Sequence, residues 1–515
     1  MPSRPHAITL VAVAVVVAVA GCSARSRRTP DDTLVVLSDT AITTADPRFA
    51  SNNYDSKLVR LVAPGLTTID TPTLEPRLAL AAAVTRVDAL TYDVTLRPDA
   101  RFSDGTAVTP ADVAQTYQTV LAAGSPSKSH KDLADRYTLV DPCGERCVRF
   151  HLRTTLATLM SDLDFGIVSF HSDPALGTVG AGPYAVHAIT ADTAYLDANP
   201  YYFGPAPRTP HVEIRYVSDQ SARILMLVGG SADLIQNSVR GDLVDDVAQR
   251  ARVHVQSGPS VILTYLMMNN DDPVMRDVRV RQAIALAIDR PAIIAAKLSN
   301  RAVLASGLLA PTHWAYSPDV PRWTRDLPRA RALLDAAGLA PDAHGVRAHL
   351  VYKTSSDAFR LALARVLAAQ LGEVGLDVEV RSFEFATFFA DIKRGEFQLA
   401  SMQTAEISDP DYYFTYFNSA RIPTAQDPDT NNRWRYRNAE VDRLTQAGRR
   451  ELDRDRRKAM YADVQRIVAA EVPIIPLWHE DVVVLTNADV SGYEIVPNAR
   501  LAGLTTAAKR LEADR

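Results

Sequence analysis

The residues able to do chemistry in this chain are poorly arranged for making or breaking bonds. No G-x-S-x-G elbow, H-E-x-x-H pair or G-x-x-x-x-G-K-[ST] loop occurs, so the local signatures of a hydrolase, a zinc peptidase and a P-loop nucleotidase are missing. Gly229-Gly230 lacks the G-x-G-x-x-G spacing that cradles a dinucleotide. The histidines are scattered singly, the pattern of surface and packing residues, and no metal site is expected of them. Cys143 and Cys147, in DPCGERCVRF, admit two readings. Gly144 permits a tight turn across which they could pair as a local disulfide; as metal ligands they would lack the second Cys or His cluster needed to complete a site. No enzyme activity and no cofactor is expected, and the function to look for is non-covalent binding.

Composition narrows the setting. A chain of 515 residues exceeds what one core organises, so two or three domains are expected. Apolar residues make up 47% and charged residues 23%, ordinary for a folded protein. Lys+Arg 56 against Asp+Glu 60 gives a net charge of -4, which offers no basic surface for nucleic acid. At the N-terminus Arg4 and His6 precede the apolar run Ile8 to Ala20, long enough for a signal-peptide core and short for a membrane span. Val19-Ala20-Gly21-Cys22 resembles a bacterial lipobox, with a plain secretory signal or an uncleaved anchor as alternatives. The lipobox reading makes 1–21 a signal peptide and 22–32 a tether lipidated at Cys22. The mature chain then sits on the outer face of the cytoplasmic membrane, extracellular or periplasmic, where a Cys143–Cys147 disulfide would persist.

The elements that must position a ligand centre on residues 261–290, VILTYLMMNNDDPVMRDVRVRQAIALAIDR. The first half alternates as a strand, Asn269 to Pro273 break it, and Asp277 caps a helix whose apolar face is Val280, Ala283, Ile284, Ala287 and Ile288. On either side lie β-α-β patterns: His211 to Val217 with SARILMLVGG and Ala232 to Ile235, then HLVYK with the helix 357–372 and LDVEVRSF. Thr91 to Leu96 reads as a strand, and Thr109-Pro110 opens a helix. Residues 418–436 are polar and proline-punctuated and read as a long surface loop, with Trp434 an exposed aromatic. Two α/β lobes joined by crossing strands are predicted, with the ligand in the crevice between them.

Several blocks carry a resemblance. YDVTLRPDARFSDGTAVTPADV, GAGPYAV (Gly180 to Val186), NPYYFGPAPRTPHVEIRYVSD (Asn199 to Asp219), LVGGSADL, MMNNDDPVMRDVRVRQAIALAIDR, RARALLDAAGL and SDPDYYF occur in the order seen in the extracellular solute-binding proteins of family 5. The chain resembles these peptide-binding lipoproteins of ABC transporters over nearly all its mature length. The resemblance implies an α/β, two-lobed periplasmic-binding-protein fold of class II, cluster C type, with an extra α+β domain inserted in the first lobe. It places lobe I at 33–61, 181–264 and 484–515, the additional domain at 62–180, and lobe II at 265–483.

The same resemblance supplies site residues. In peptide-binding members an acidic residue just before the SDPD turn pairs with the ligand's α-amino group, and Glu406 takes that position, where the pattern usually has aspartate. Asp409, before Pro410, shapes the turn, and Tyr412 in the aromatic cluster that follows is a candidate wall. Asn269 and Asn270 lie where the family chain meets extended ligand backbones, and an amide can both donate and accept there. Trp314 occupies the loop that borders the family's pocket. The implied function is capture of oligopeptides or peptide-like solutes by a monomeric, lipid-anchored receptor that delivers them to ABC permease subunits. The alternatives are a nickel or haem complex, an opine or a sugar derivative as cargo, or a signalling or adhesive lipoprotein without transport.

Overall fold

The computed structural model describes residues 29–250, 252–404 and 407–509. Its frame is an eleven-stranded mixed sheet. Strand Thr33–Ser38 runs parallel to His211–Tyr216 on one side and to Leu234–Gln236 on the other. Antiparallel strands Thr193–Ala198 and Tyr184–Ile189 continue this half to its edge. The other half consists of Leu399–Thr404, Ala348–Ser355 and Leu376–Phe383, which are mutually parallel.

Two long antiparallel strands, Val253–Met268 and Ile474–Asn487, join the halves. One end of this ribbon pairs with Leu234–Gln236, and the other pairs with Leu399–Thr404. A register shift between Gly258 and Ile262 marks its middle. From Ser260 to Met268 every residue is buried, on both faces of the strand. A ribbon covered by helices on both sides needs a continuous apolar run, which VILTYLMM provides.

Helices cover each half. Val278–Ala287, capped by the Asp277 side chain on the Arg279 N–H, packs Val280, Ala283, Ile284 and Ala287 into a core shared with Leu363, Leu367 and Leu371. Arg281 is buried in that helix and donates to the carbonyls of Met275, Arg276, Glu471 and Val472, tying the helix to the entry of the second ribbon strand. No helix among the described residues is long and apolar enough to cross a membrane.

A separate four-stranded antiparallel sheet is inserted after the first helix, Asn53–Val62. Its strands are Ala81–Arg86, Thr91–Leu96, Cys147–Leu152 and Tyr137–Gly144. Helix Pro110–Leu121 lies on it, started by a Thr109–Asp112 capping box. The insertion has its own core, from Leu66 to Ala181, with Phe102, Tyr117 and Phe150 at its centre. At the hairpin tip Cys143 and Cys147 form a disulfide with Cα atoms 4.9 Å apart.

One stretch differs from its sequence reading. Residues 418–436 are not a solvated loop, because Thr430, Asn432, Trp434 and Tyr436 are buried. Asn432 satisfies the turn from within, donating to the Asn418 and Tyr436 carbonyls and accepting from the Tyr436 N–H. Trp434 stacks on Tyr416 at 5.6 Å and meets Tyr265 edge-on at 5.9 Å. Polar side chains here replace secondary structure as the partners of buried backbone.

Candidate functional site

A cavity of about 350 Å³ opens between the inserted domain and the segment that follows strand Leu399–Thr404. Arg60, Arg136, Asp162 and Asp164 line one wall; Ser408, Asp409, Asp411 and Tyr412 line the other. A second cavity of about 340 Å³ shares Ser161, Ser408 and Asp409 with the first and extends to Trp314. Both have the size of small-molecule sites, and both lie at a boundary between domains.

Long-range contacts hold the 408–411 loop from behind. Arg457, on helix Arg454–Glu471, grips Asp409 through both terminal nitrogens while its Nε donates to the Gly448 carbonyl. Asp409 in turn accepts the Asp411 N–H at 2.8 Å. His313 Nδ1 accepts the Ala315 N–H, so Nε2 carries the proton and donates to the Ser408 carbonyl at 3.1 Å. Burial lowers the His313 pKa and keeps the ring neutral. Asp411 accepts from Arg449 Nε at 3.1 Å and from the Tyr461 hydroxyl at 3.2 Å. Burial pushes its carboxyl up to about 6, against the pull of Arg449.

The opposite wall is built from ion pairs of Arg60, Arg136 and Arg500 with Asp70, Asp162 and Asp164. Arg500 bridges Asp70 and Asp164 at 2.9 Å each, and Arg60 Nη2 lies 3.3 Å from Asp164. Arg136 Nε is 3.3 Å from Asp162. Burial raises the pKa of both Asp162 and Asp164, opposed mainly by Arg136 and Arg60 respectively. Across the cleft, Lys131 meets Asp427 and Arg454 meets Glu75, Arg421 lies 3.8 Å from Asp135, and the Ala157 N–H donates to the Arg449 carbonyl at 2.8 Å. The two walls therefore touch at the rim around a space that stays partly open to solvent.

Asp409, Tyr412 and Trp314 stand together on these walls, with Trp314 beneath the guanidinium of Arg454 at 4.8 Å. Asn269 and Asn270 are placed elsewhere. The Asn269 amide donates to the Gly395 and Phe397 carbonyls at 2.9 and 3.0 Å. The Asn270 amide donates to those of Met268, Trp434 and Pro473. Both amide nitrogens brace the end of the ribbon, while the buried Asn270 Oδ1 has no hydrogen-bond partner among the described residues. Glu406 and Cys22, the residue expected to carry a lipid, lie outside the described residues. Sequence reasoning did not single out Asp411, Arg136, Asp162 or Arg457. Asp411 was visible within SDPD, but the arginines carry no local motif and gain their place through contacts distant in sequence.

Residues 73–423 match the family model of the bacterial extracellular solute-binding proteins, family 5 middle region. The chain belongs to this family. Among curated relatives, this solute-binding protein is 26% identical to a probable di/tripeptide-binding protein 5 of Pseudomonas aeruginosa, over 78% of its own length and 77% of the relative's. Two solved structures share its fold. NikA of Brucella suis, in complex with Fe(III)-EDTA, superposes with a TM-score of 0.83 at 20% identity, covering 93% of this chain and 100% of that one. The oligopeptide-binding protein AppA of Bacillus subtilis, in complex with a nonapeptide, gives 0.77 at 21% identity, covering 93% and 99%. The solute-binding protein thus has the two-lobed fold of its family, with the long ribbon as the crossing between lobes.

Proposed function

We propose that this solute-binding protein, the substrate-binding component of an ABC importer, captures short peptides or peptide-like solutes in the interlobe cleft and passes them to permease subunits in the cytoplasmic membrane. One observation carries this reading: a braced acidic loop, Asp409 to Asp411, faces Arg60, Arg136 and Arg500 with their carboxylate partners across a cavity that is partly open to solvent. Such a space suits a zwitterion, because both signs of charge are offered on facing walls. Glu406, just before this loop, is assigned to the ligand's α-amino group, and Trp314 and Tyr412 to its side chains. The match to a probable di/tripeptide-binding relative supports the same ligand class. The protein acts as a monomer, anchored by lipid on Cys22, and does no chemistry on its cargo; ligand shifts it towards the closed form.

A second reading has its own support. Arg60, Arg136 and Arg500 would also suit the carboxylates of a metal chelate, and the Brucella neighbour holds Fe(III)-EDTA. Calorimetry on ligand-stripped protein separates the two. Binding of free dipeptides and tripeptides, with loss on N-acetylation, is the expected result. Binding of Fe(III)-EDTA or a nickel–histidine complex without any peptide binding would replace it.

A further inference from the structure

A further cavity, of about 150 Å³, shares no lining residue with the two cavities of the cleft. Its walls are the buried side chains of Ala285, Leu308, Phe417, Val468, Val472 and Ile475, and the exposed Pro321, Arg322 and Thr324 form its mouth. An apolar space of ~150 Å³ holds a single aromatic ring. Two polar groups on its lining are incompletely bonded. Arg290, only 6% exposed, opens helix Arg290–Leu298. Its Nη1 donates to the Ala305 and Pro476 carbonyls at 2.9 and 2.8 Å, and its Nη2 to that of Trp323 at 2.7 Å. Nε and the second Nη2 proton have no acceptor among the described residues, and no carboxylate there pairs with the group. The Tyr413 hydroxyl accepts the Leu308 N–H at 3.1 Å, and its own proton has no acceptor among the described residues.

Arg281 shows what a purely structural buried arginine looks like here. It makes five bonds to carbonyls, and Glu471 lies near enough to offset its burial. Nothing offsets the burial of Arg290, which pulls its pKa down to about 10. A buried cation without an anion is costly, and the Nε edge of a guanidinium matches a carboxylate. No acidic residue lines the cavity, so the ammonium of a free amino acid or peptide would be left unpaired there. We propose that this cavity is a second binding site, for a small monocarboxylate with one apolar ring, whose carboxylate accepts from Arg290 and Tyr413 while the ring fills the apolar walls. The site is separate from the cleft and does not depend on what the cleft binds.

The test is calorimetry of ligand-stripped protein at neutral pH with benzoate and with benzamide, its neutral counterpart of the same shape. Wild-type protein binds benzoate saturably, about tenfold or more tighter than benzamide. Because benzoate could also meet the arginines of the cleft, two variants locate it. Ala469→Leu extends a side chain of the lining into the space, and Thr324→Trp covers the exposed mouth. Each loses benzoate binding while its thermal melt stays close to that of wild type, and Thr324→Trp, on the surface, serves if Ala469→Leu fails to fold. Absence of saturable benzoate binding by wild type, equal affinity for benzamide, or benzoate binding unchanged in the folded variants overturns the assignment and leaves the peptide reading of the cleft standing.

Discussion

Arg457 and Asp409, 48 residues apart in sequence, form an ion pair beneath the cleft, with Nη1 3.1 Å from Oδ2 and side chains only 6% and 12% exposed. The pair turns the 408–411 loop into a fixed wall, because the same Asp409 carboxylate also receives the Asp411 N–H.

Arg457→Gln is expected to destabilise the protein by about 3–5 kcal/mol, the usual cost of leaving a buried charge unpaired. Urea unfolding measures it. Adding Asp409→Asn should recover a large part of that loss, since both charges are then gone. If the single variant is as stable as wild type, the pair does not brace the loop.

Asp411 gives the cleft a pH dependence. Its carboxyl is held up to about 6, above its ordinary 3.8, so its protonated form is favoured in the folded protein. Stability from this group is fully present below its ordinary value and falls as pH rises through about 6. A ligand ammonium held by Glu406 near the loop favours the ionised form of Asp411 through its charge, so capture releases a proton near pH 6 and affinity rises as pH increases through that value. Calorimetry in buffers of different ionisation enthalpy detects the proton. Asp411→Asn should flatten the profile, and an unchanged proton release in that variant would assign it to another group.

Asn269→Ala separates bracing from binding. It removes two side-chain bonds to buried carbonyls and should cost about 1–3 kcal/mol in unfolding free energy, with ligand affinity close to wild type. A large loss of affinity in a protein of unchanged stability would place Asn269 on the binding surface.

Much of the fold was legible in the sequence because its signals are local. The Asp277 cap and its apolar stripe, the Thr109-Pro110 helix start and the strand beginning at His211 all appear where the pattern put them. The 418–436 stretch was misread because its proline and asparagine content matches that of exposed loops. Only the fold reveals that Asn432 serves as an internal bracket and that Trp434 fills the space under Tyr416. The site was half legible for a related reason. SDPD marks the loop, but the cations that hold it and face it come from helix Arg454–Glu471 and the inserted domain, and no spacing rule links residues so far apart.

Cys143→Ser/Cys147→Ser opens a very short loop. The double variant should lose about 2 kcal/mol by the chain-entropy relation and bind ligand normally, because the hairpin tip lies outside both cavities. Denaturant melts under reducing and oxidising conditions test this; abolished binding would give the hairpin a role beyond local stapling.

The central claim is capture of a peptide between the two walls, and native mass spectrometry of protein purified gently from cells, as the soluble form beginning after Cys22, tests it most directly. A spread of co-purifying masses that fragment as short peptides with free termini is the predicted result. A single non-peptide mass, or a metal chelate, would contradict it.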